Sequence, residues 1–170
     1  ERLQALVFET GQLVDHSVVL ADAGLIVEEL LVKVDLDKIV RLVAESTIPE
    51  LVEYIQDTLP NVKADEMKVK QSLRNLFDNA VNHGNPTKIE VKCEVRQGKL
   101  CITIRNNGIE IPEQIRSKIF TKGFTTSKSG QGFGLTIVRR IVEAHNWTIH
   151  LTPSRMTTFE LIIPDQDASK

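Results

Sequence analysis

A strict alternation of apolar and polar side chains runs through residues 88–104 and limits the fold more than any other feature of the sequence. Apolar residues alternate with charged ones from Lys88 to Val95, and a second alternating run covers Leu100–Ile104. A period of two residues is typical of a strand with one buried face. The Gln97-Gly98 pair between the runs is typical of a hairpin turn. The segment therefore predicts two antiparallel strands with one face against a core.

Helical patterns stand on both sides of this hairpin. Residues 66–82 repeat apolar side chains at helical spacing behind a capping Asp65, and residues 134–145 repeat the pattern. Another helix to about Ala44 begins behind Asp35 or Asp37. The remaining short strands are predicted within 52–64, 148–152 and 157–163. This order predicts an α+β fold, a two-layer sandwich of a mixed, mostly antiparallel sheet covered by helices.

Domain boundaries follow from the same patterns. Residues 2–32 carry apolar side chains at helical spacing, so we expect a helical segment over 1–33, interrupted near Gly24. The globular domain is expected over 34–164, with a frayed tail over 165–170. Because the chain opens inside a helical pattern and without Met, it is interpreted as a piece of a longer protein.

Charge and cysteine content exclude several classes of function. The formal net charge is −2 and the pI is about 6.1, which gives no electrostatic footprint for nucleic acid or anionic lipid. No apolar stretch is long enough to span a membrane, so no direct membrane contact is expected. Cys93 and Cys101 lie in the two hairpin strands and are expected to be reduced core thiols in a reducing compartment.

Three asparagines share one face of the predicted 66–82 helix. Asn75, Asn79 and Asn82 recur at i, i+4 and i+7, with His83 at the margin of the face. Asparagine is a mediocre helix former, so helix propensity does not explain the stripe. An amide oxygen is a suitable ligand for Mg²⁺, which needs few protein ligands when phosphates and water supply the rest. The alternative is an ordinary solvated polar face.

Two glycine-containing segments follow this helix. Gly108 comes directly after a strand, where it lets the backbone turn and approach a flat ligand. Residues 122–135 hold four glycines, two lysines and four hydroxyls, and they run into a helix N-terminus, which suits a phosphate chain. A mobile lid is plausible there. Taken alone, the first is an ordinary turn and the second a flexible surface loop.

The order of these segments resembles the ATP-binding domain of sensor histidine kinases, in the GHKL ATPase superfamily. Residues 75–83 (NLFDNAVNH) resemble its N box, 119–126 (IFTKGFTT) its F box, and 130–145 (GQGFGLTIVRRIVEAH) its G2 box and following helix. Some of the motif spellings resemble archaeal members. The resemblance implies a Bergerat-type fold, ATP and Mg²⁺ as cofactors, and transfer of the γ-phosphoryl group to a histidine.

The resemblance also assigns roles to individual residues. Asn79 would bind Mg²⁺, Asn75 would lie near the metal and phosphates, and Asn82 and His83 would contact phosphate or ribose. The remaining nucleotide-binding positions implied by the motifs are Asn106, Gly108, Ile111, Lys122, Phe124, Thr125, Thr126, Lys128, Gly130, Gly132, Phe133, Gly134, Leu135 and Thr158. His145 and His150 are interpreted as structural.

Three positions separate this sequence from other members. Related hydrolases have a water-activating Glu where this chain has Asn75, and an amide cannot act as a base, which favours transfer over hydrolysis. Asn106 replaces the usual Asp of the adenine site, and Glu110 replaces a frequent Gly, so weaker ATP binding is expected. Two alternatives remain open: a degenerate docking module with little turnover, and a hydrolase or serine-directed kinase of the same fold.

The implied partners lie outside the sequence. His16 is followed by Ser17 and lacks the usual acidic neighbour, so the phosphoacceptor histidine is expected upstream on a dimerisation domain. The resemblance implies a response regulator as recipient, a homodimeric full-length protein and a cytoplasmic location.

Overall fold

The computed structural model describes residues 5–7, 13–15, 21–56, 59–126 and 131–164. Within these ranges the strands are β1 (Ala5–Val7), β2 (Leu13–Asp15), β3 (Leu31–Val34), β4 (Val52–Gln56), β5 (Val62–Asp65), β6 (Ile89–Arg96), β7 (Lys99–Asn106), β8 (Thr148–Thr152) and β9 (Thr157–Ile163). The helices are α1 (Leu36–Thr47), α2 (Glu66–Gly84), α3 (Glu113–Arg116) and α4 (Gly134–Ala144). A 3₁₀ turn, Glu28–Leu30, precedes β3.

The main sheet has five strands in the order β4-β6-β7-β9-β8. β4 runs parallel to β6, and the other neighbours are antiparallel. Two antiparallel pairs, β1 with β2 and β3 with β5, lie outside it. The sequence prediction of a mixed, mostly antiparallel sheet in an α+β fold is confirmed.

The helices cover one face of the sheet. α2 packs between α1 and α4, and the core holds their apolar faces against the inner residues of β6, β7 and β9. Phe77 and Phe159 are among the largest fully buried side chains. The opposite face carries charged side chains, among them the ion pair of Lys92 with Glu94 at 2.7 Å. The fold is therefore two layers with one core.

The sequence explains where α2 begins and ends. The carboxylate of Asp65 accepts the backbone N–H groups of Met67 at 3.1 Å and Lys68 at 3.2 Å, which caps the first turn. At the other end Asn85 has φ +44°, the left-handed conformation common after a helix. The predicted cap and helix are thus confirmed, and α2 extends two residues beyond the expected end.

The hairpin of β6 and β7 also matches its prediction. Gln97 and Gly98 have φ values of +53° and +74°, as a two-residue type I′ turn requires. Cys93 and Cys101 are free and buried, but they lie on opposite faces of the sheet because their cross-strand partners are Ile102 and Glu94. Burial raises the pKa of the Cys93 thiol to about 12.

The predicted N-terminal helix is wrong where the structure describes that segment. β1 and β2 form an antiparallel pair, and Leu31–Val34 pairs with β5. Short apolar runs fit helix and strand periods equally well, and pairing with a neighbour decides between them. Among the described residues before β3, residues 21–23 are α-helical and Glu28–Leu30 form a 3₁₀ turn, and Ala23 is buried against Ile137 and Ile141 of α4.

The helix that follows the turn after β7 is a single short one of four residues. Pro112 is the residue before α3 rather than its first helical residue, and α3 ends at Arg116. The chain continues in tight turns, since Lys118 N–H donates to Ile115 O at 2.8 Å and Thr121 N–H to Lys118 O at 2.8 Å. These i to i−3 bonds replace the α-helical pattern.

Candidate nucleotide-binding site

The asparagine face of α2 lies beside the first residue of α4. A Cβ atom built on Gly134 would lie 3.7 Å from Oδ1 of Asn75, so the two helices come close at this point. Asn75 and Asn79 are half-buried, whereas Asn82 is exposed. The apolar residues of α2 fill the core on another face. The stripe therefore borders the gap between α2 and α4 instead of facing open solvent along its whole length.

Asp78 stands between the two half-buried asparagines in the sequence. Partial burial raises the pKa of its carboxyl above the ordinary aspartate value, and the nearby Arg74 guanidinium partly offsets that rise.

The N-terminus of α4 is open to an anion. Within the described residues, the N-cap residue Phe133 makes no side-chain capping bond, and the first turn holds no acidic residue. The first backbone N–H groups of a helix carry partial positive charge and lack intrahelical partners. Such an end, with glycine at its first position, fits a phosphate group.

The turn after β7 contacts the last residue of α2 directly. The N–H of Ile109 donates to Gly84 O at 2.7 Å. A Cβ on Gly108 would lie 2.0 Å from the same oxygen, and one on Gly84 would lie 2.9 Å from Oδ1 of Asn106. Both positions therefore require glycine, because any side chain would collide with backbone or with a buried amide. Gly84 was not among the predicted site residues.

Asn106 ends β7 with its side chain buried on the inner face of the sheet, with 2% of its surface exposed. Its Oδ1 accepts the N–H of Gly108 at 3.1 Å. Since two donors cannot face each other, this bond fixes the oxygen toward Gly108 and leaves the amide NH₂ as the group that a ligand can meet.

The neighbouring Asn107 has a structural role. Its Oδ1 accepts the N–H groups of Thr87 at 3.0 Å and Lys88 at 2.9 Å, and so holds the connection between α2 and β6.

The strand register replaces one candidate residue with its neighbour. Thr157 lies opposite Asn106, on the inner face of the sheet, whereas Thr158 lies opposite Arg105 on the outer face. The Thr158 hydroxyl donates to Met156 O at 3.0 Å. A ligand between sheet and helices would therefore meet Thr157 before the predicted Thr158.

The base of the glycine-rich segment is held by its own backbone. Gly123 N–H donates to Gly132 O at 3.0 Å. Gly132 has φ +72°, and a Cβ there would lie 2.5 Å from the carbonyl carbon of Gly123. Phe124 packs against the core from its half-buried position. The segment therefore leaves and returns to the domain at one fixed point, as a lid would.

The residues at the two ends of the lid differ in their exposure and in their contacts with the rest of the site. Thr126 Oγ1 lies 3.4 Å from Nδ1 of His83, which joins the lid to α2. Thr125, Phe133 and Leu135 are half-buried, while Lys122 is exposed. Lys128 and Gly130 lie outside the described residues.

Glu110 does not stand as an isolated anion. Its carboxylate pairs with Arg116 at 2.5 Å, and Arg116 Nε also donates to Ile111 O at 3.0 Å. Ile111 is half-buried against the core. The charge expected to repel a nucleotide is therefore balanced by a cation from α3.

The comparisons with known proteins agree with this geometry. Residues 64–167 match the family model of the histidine kinase-, DNA gyrase B- and HSP90-like ATPases. The chain belongs to this ATPase family. In this chain, the family's motifs fall on α2, on the turn after β7, in the lid and at the start of α4.

Its relatives include signal transduction proteins. The histidine-protein kinase AtoS of Escherichia coli is 33% identical over 119 residues, which cover 68% of this chain and 20% of AtoS. The sensor histidine kinase ZraS of the same species is 35% identical over 111 residues, covering 64% and 24%. The chain thus spans about a fifth to a quarter of the length of these relatives.

A solved structure is similar over most of the fold. The nucleotide-free catalytic domain of the histidine kinase ThkA has a TM-score of 0.67 and 29% identity, covering 79% of this chain and 95% of that domain. ThkA in complex with the response regulator protein TrrA gives a TM-score of 0.66 and 27% identity, covering 82% of this chain and 43% of that one. The ATPase family member described here therefore has the fold of a histidine kinase catalytic domain.

Proposed function

We propose that this chain is the Mg·ATP-binding catalytic domain of a two-component sensor histidine kinase. In this role it transfers the γ-phosphoryl group of ATP to a histidine outside the sequence given. The observation that carries the proposal is the approach of the α2 asparagine face to the N-terminus of α4, where a Cβ atom on Gly134 would lie 3.7 Å from Oδ1 of Asn75. One wall offers amide oxygens for a cation, and the other offers N–H groups for phosphates.

Phosphoryl transfer needs positioning and charge neutralisation more than covalent chemistry. Asn79 would hold Mg²⁺, which supplies charge neutralisation when bound, and Asn75 would orient the phosphates beside it. Gly132 and Gly134 leave room for the phosphate chain, and Lys128 would approach it from the lid. Asn82 and His83 would contact phosphate or ribose at the end of α2.

The remaining predicted residues would form the nucleotide pocket around these groups. Asn106 and Thr157 would face the base at the end of the sheet, with Gly108 and Ile111 beside them. The lid positions Lys122, Phe124, Thr125, Thr126, Gly130, Phe133 and Leu135 would cover or brace the bound nucleotide. Two glycines, Gly84 and Gly108, keep this end of the pocket free of side chains.

The absence of a carboxylate at position 75 favours transfer over hydrolysis. An amide cannot take a proton from water, so Asn75 cannot activate water for attack on the phosphate. The names of the relatives point the same way, since AtoS, ZraS and ThkA are all called histidine kinases.

The partners in this proposal are a dimerisation domain that carries the phosphoacceptor histidine, and a response regulator. The ThkA–TrrA complex supports the regulator, because it pairs a similar catalytic domain with such a protein. A homodimeric, cytoplasmic full-length protein would bring ATP and acceptor together. Within the described residues, no helix has both the length and the apolar character needed to cross a bilayer.

Titration of the chain with ATP, in the presence and absence of Mg²⁺, tests the proposal. We expect saturable binding that Mg²⁺ strengthens, and Asn79→Ala should remove the Mg²⁺-dependent gain. Asn61→Ala, in an exposed loop away from the site, is the matched control and should bind like the original chain. No binding at millimolar ATP would refute the proposal and support a docking module instead.

The full-length protein tests the acceptor. Labelled ATP should give a phosphoprotein whose label is lost in acid and kept in base, as expected of a phosphohistidine. An acid-stable label would contradict the proposal and indicate a hydroxyl acceptor.

A further inference from the structure

A side chain far along the sequence from α2 holds the capping residue just before that helix. The imidazole Nε2 of His145, just after α4, accepts the backbone N–H of Asp65 at 3.0 Å. The other ring nitrogen, Nδ1, lies 2.8 Å from Ile141 O in the last turn of α4. One ring therefore joins the end of α4 to the start of α2.

These two contacts determine the protonation state and the tautomer of the imidazole ring. A carbonyl oxygen can only accept, so Nδ1 carries the proton and donates to Ile141 O. A backbone N–H can only donate, so Nε2 carries none and accepts from Asp65. The geometry is satisfied only by a neutral imidazole in the Nδ1–H tautomer.

Packing holds the ring in this position. The His145 and Trp147 rings have centroids 4.8 Å apart and are tilted by 36°. His145 is half-buried, and Trp147 is 3% exposed. Asp65 is also buried, and its carboxylate is occupied by the N–H groups of Met67 and Lys68. The backbone N–H of Asp65 therefore depends on the imidazole for its partner.

We infer that His145 is a positioning residue for the nucleotide site. It sets where α2 begins relative to α4, and these two helices carry the asparagine face and the phosphate-facing N-terminus. The inference rests on the proposed function, because it assigns His145 an effect on nucleotide binding. It goes beyond that function because His145 lies at the other end of both helices from the proposed site.

The same geometry makes the joint sensitive to protonation. An imidazolium would place a donor at Nε2 opposite the N–H of Asp65, which removes the bond between the helices. Several charged side chains of the elements around the ring, within the described residues, are held in ion pairs. From α4, Glu143 is paired with Arg139, and from the segment before β3, Asp22 is paired with the Lys68 ammonium of α2.

The other charges near the ring belong to β3, β5 and the first turn of α2. Lys33 and Lys63 line a cavity of about 450 Å³ together with His145, and Lys63 contacts Glu28 at 2.9 Å. Glu66 pairs with Lys70. The carboxylate of Asp65, whose backbone N–H bonds the ring, would have to leave the cap of α2 to approach an imidazolium.

Two substitutions separate hydrogen bonding from packing. His145→Phe keeps a flat ring beside Trp147 and removes both hydrogen bonds. His145→Gln keeps an acceptor for Asp65 N–H and does not titrate. We expect the Phe variant to bind Mg·ATP about tenfold more weakly, the size of one lost bond to a buried donor, and the Gln variant to stay within about threefold.

Affinity measured between pH 5.5 and 8 gives a readout that a merely stabilising residue would not change. The original chain should lose affinity as the pH is lowered, because an imidazolium cannot accept the N–H of Asp65. The Gln and Phe variants should lose less. His150→Phe, at an exposed position, is the matched control and should follow the original chain at every pH.

Two outcomes distinguish this inference from the proposed function. If the original chain binds no nucleotide, the proposed function fails, and the joint is then read by hydrogen exchange of the Asp65 amide, whose protection relative to the intrinsic exchange rate should fall in His145→Phe and stay in His145→Gln. If nucleotide binds equally to the original chain and the folded Phe variant at every pH, the inference is wrong. A ¹⁵N spectrum showing the proton on Nε2 at pH 8 would also overturn it.

Discussion

Single glycines shape the proposed pocket more than any polar side chain does. Gly108 has no space for a Cβ, because that atom would lie 2.0 Å from Gly84 O. Gly24 differs, since a Cβ there would meet only Ala21 O at 3.8 Å. The two positions therefore form a natural pair for testing whether close backbone approach decides the geometry of the site.

We expect Gly108→Ala to lower the free energy of unfolding by roughly 2 kcal/mol or more, because the turn must move away from α2. Gly24→Ala should stay within about 0.5 kcal/mol. Urea unfolding followed by circular dichroism measures both. Equal stabilities for the two variants would show that the turn after β7 yields more easily than the distances imply.

For Asn106, the structure changes which side-chain atom we expect to be available to the nucleotide base. The sequence suggests that its amide oxygen can serve the base, but that oxygen already accepts the N–H of Gly108. A carboxylate has a second acceptor oxygen in place of the NH₂ group. We therefore expect Asn106→Asp to bind ATP more tightly, by about 1 kcal/mol, and to lower the stability of the nucleotide-free chain.

Calorimetric titration with ATP and thermal unfolding without it check both halves of this prediction. Asn107→Asp is the control, since Asn107 holds the connection between α2 and β6 rather than the pocket. Weaker ATP binding by Asn106→Asp than by the original chain would contradict the proposed pose of the base.

At the scale of elements, the two capped helices allow a direct comparison. Asp65 is 4% exposed and accepts two N–H groups at the start of α2, whereas Asp35 is exposed and accepts one, from Lys38 at 3.0 Å, at the start of α1. We expect Asp35→Ala to cost about 1 kcal/mol and Asp65→Ala about 2 kcal/mol. Thermal unfolding measures the order, and a larger loss in Asp35→Ala would be the contrary result.

Long periodic elements could be predicted from the sequence because their own residues determine them. The spacing of apolar residues gives α2 and the β6–β7 hairpin, and Asp65 gives the start of α2. The segment before residue 33 could not be predicted in this way, since its short apolar runs become strands only through pairing with partners such as β5.

The site shows where sequence reasoning stops. The motifs lead to the asparagine face, the glycines and Asn106, but not to which of two adjacent threonines faces inward, because a slip of one residue reverses the face of a strand. Nor could the bond from Asp65 to His145 be predicted, since 80 residues separate them and only the packed fold brings them together.

At the scale of the whole molecule, one core unites elements from both ends of the domain. Buried core residues run from Val34 to Ile163, although the family match begins at residue 64. β3 and α1 therefore fold with the matched region, since α1 packs on α2 and β3 pairs with β5. The domain boundaries at 34 and 164 stay a prediction that limited proteolysis can test.

The order of the sheet predicts how the molecule opens. β7 is paired with β6 and β9 along nearly its whole length, whereas β8 lies at an edge. Amides of β7 should exchange with solvent only through global unfolding, and those of β8 faster through local opening. Hydrogen exchange with mass spectrometry distinguishes them, and equal rates in β7 and β8 would contradict a single cooperative core.

The two ends of α2 are both tied to other elements. Asp65 N–H is bonded to His145 at one end, and Gly84 O to Ile109 N–H at the other. A helix held at both ends cannot change its direction, but it can still rotate about its long axis. Such a rotation would move the side chains of Asn75 and Asn79 toward or away from α4 together. Both amides would therefore gain or lose their alignment at the same time.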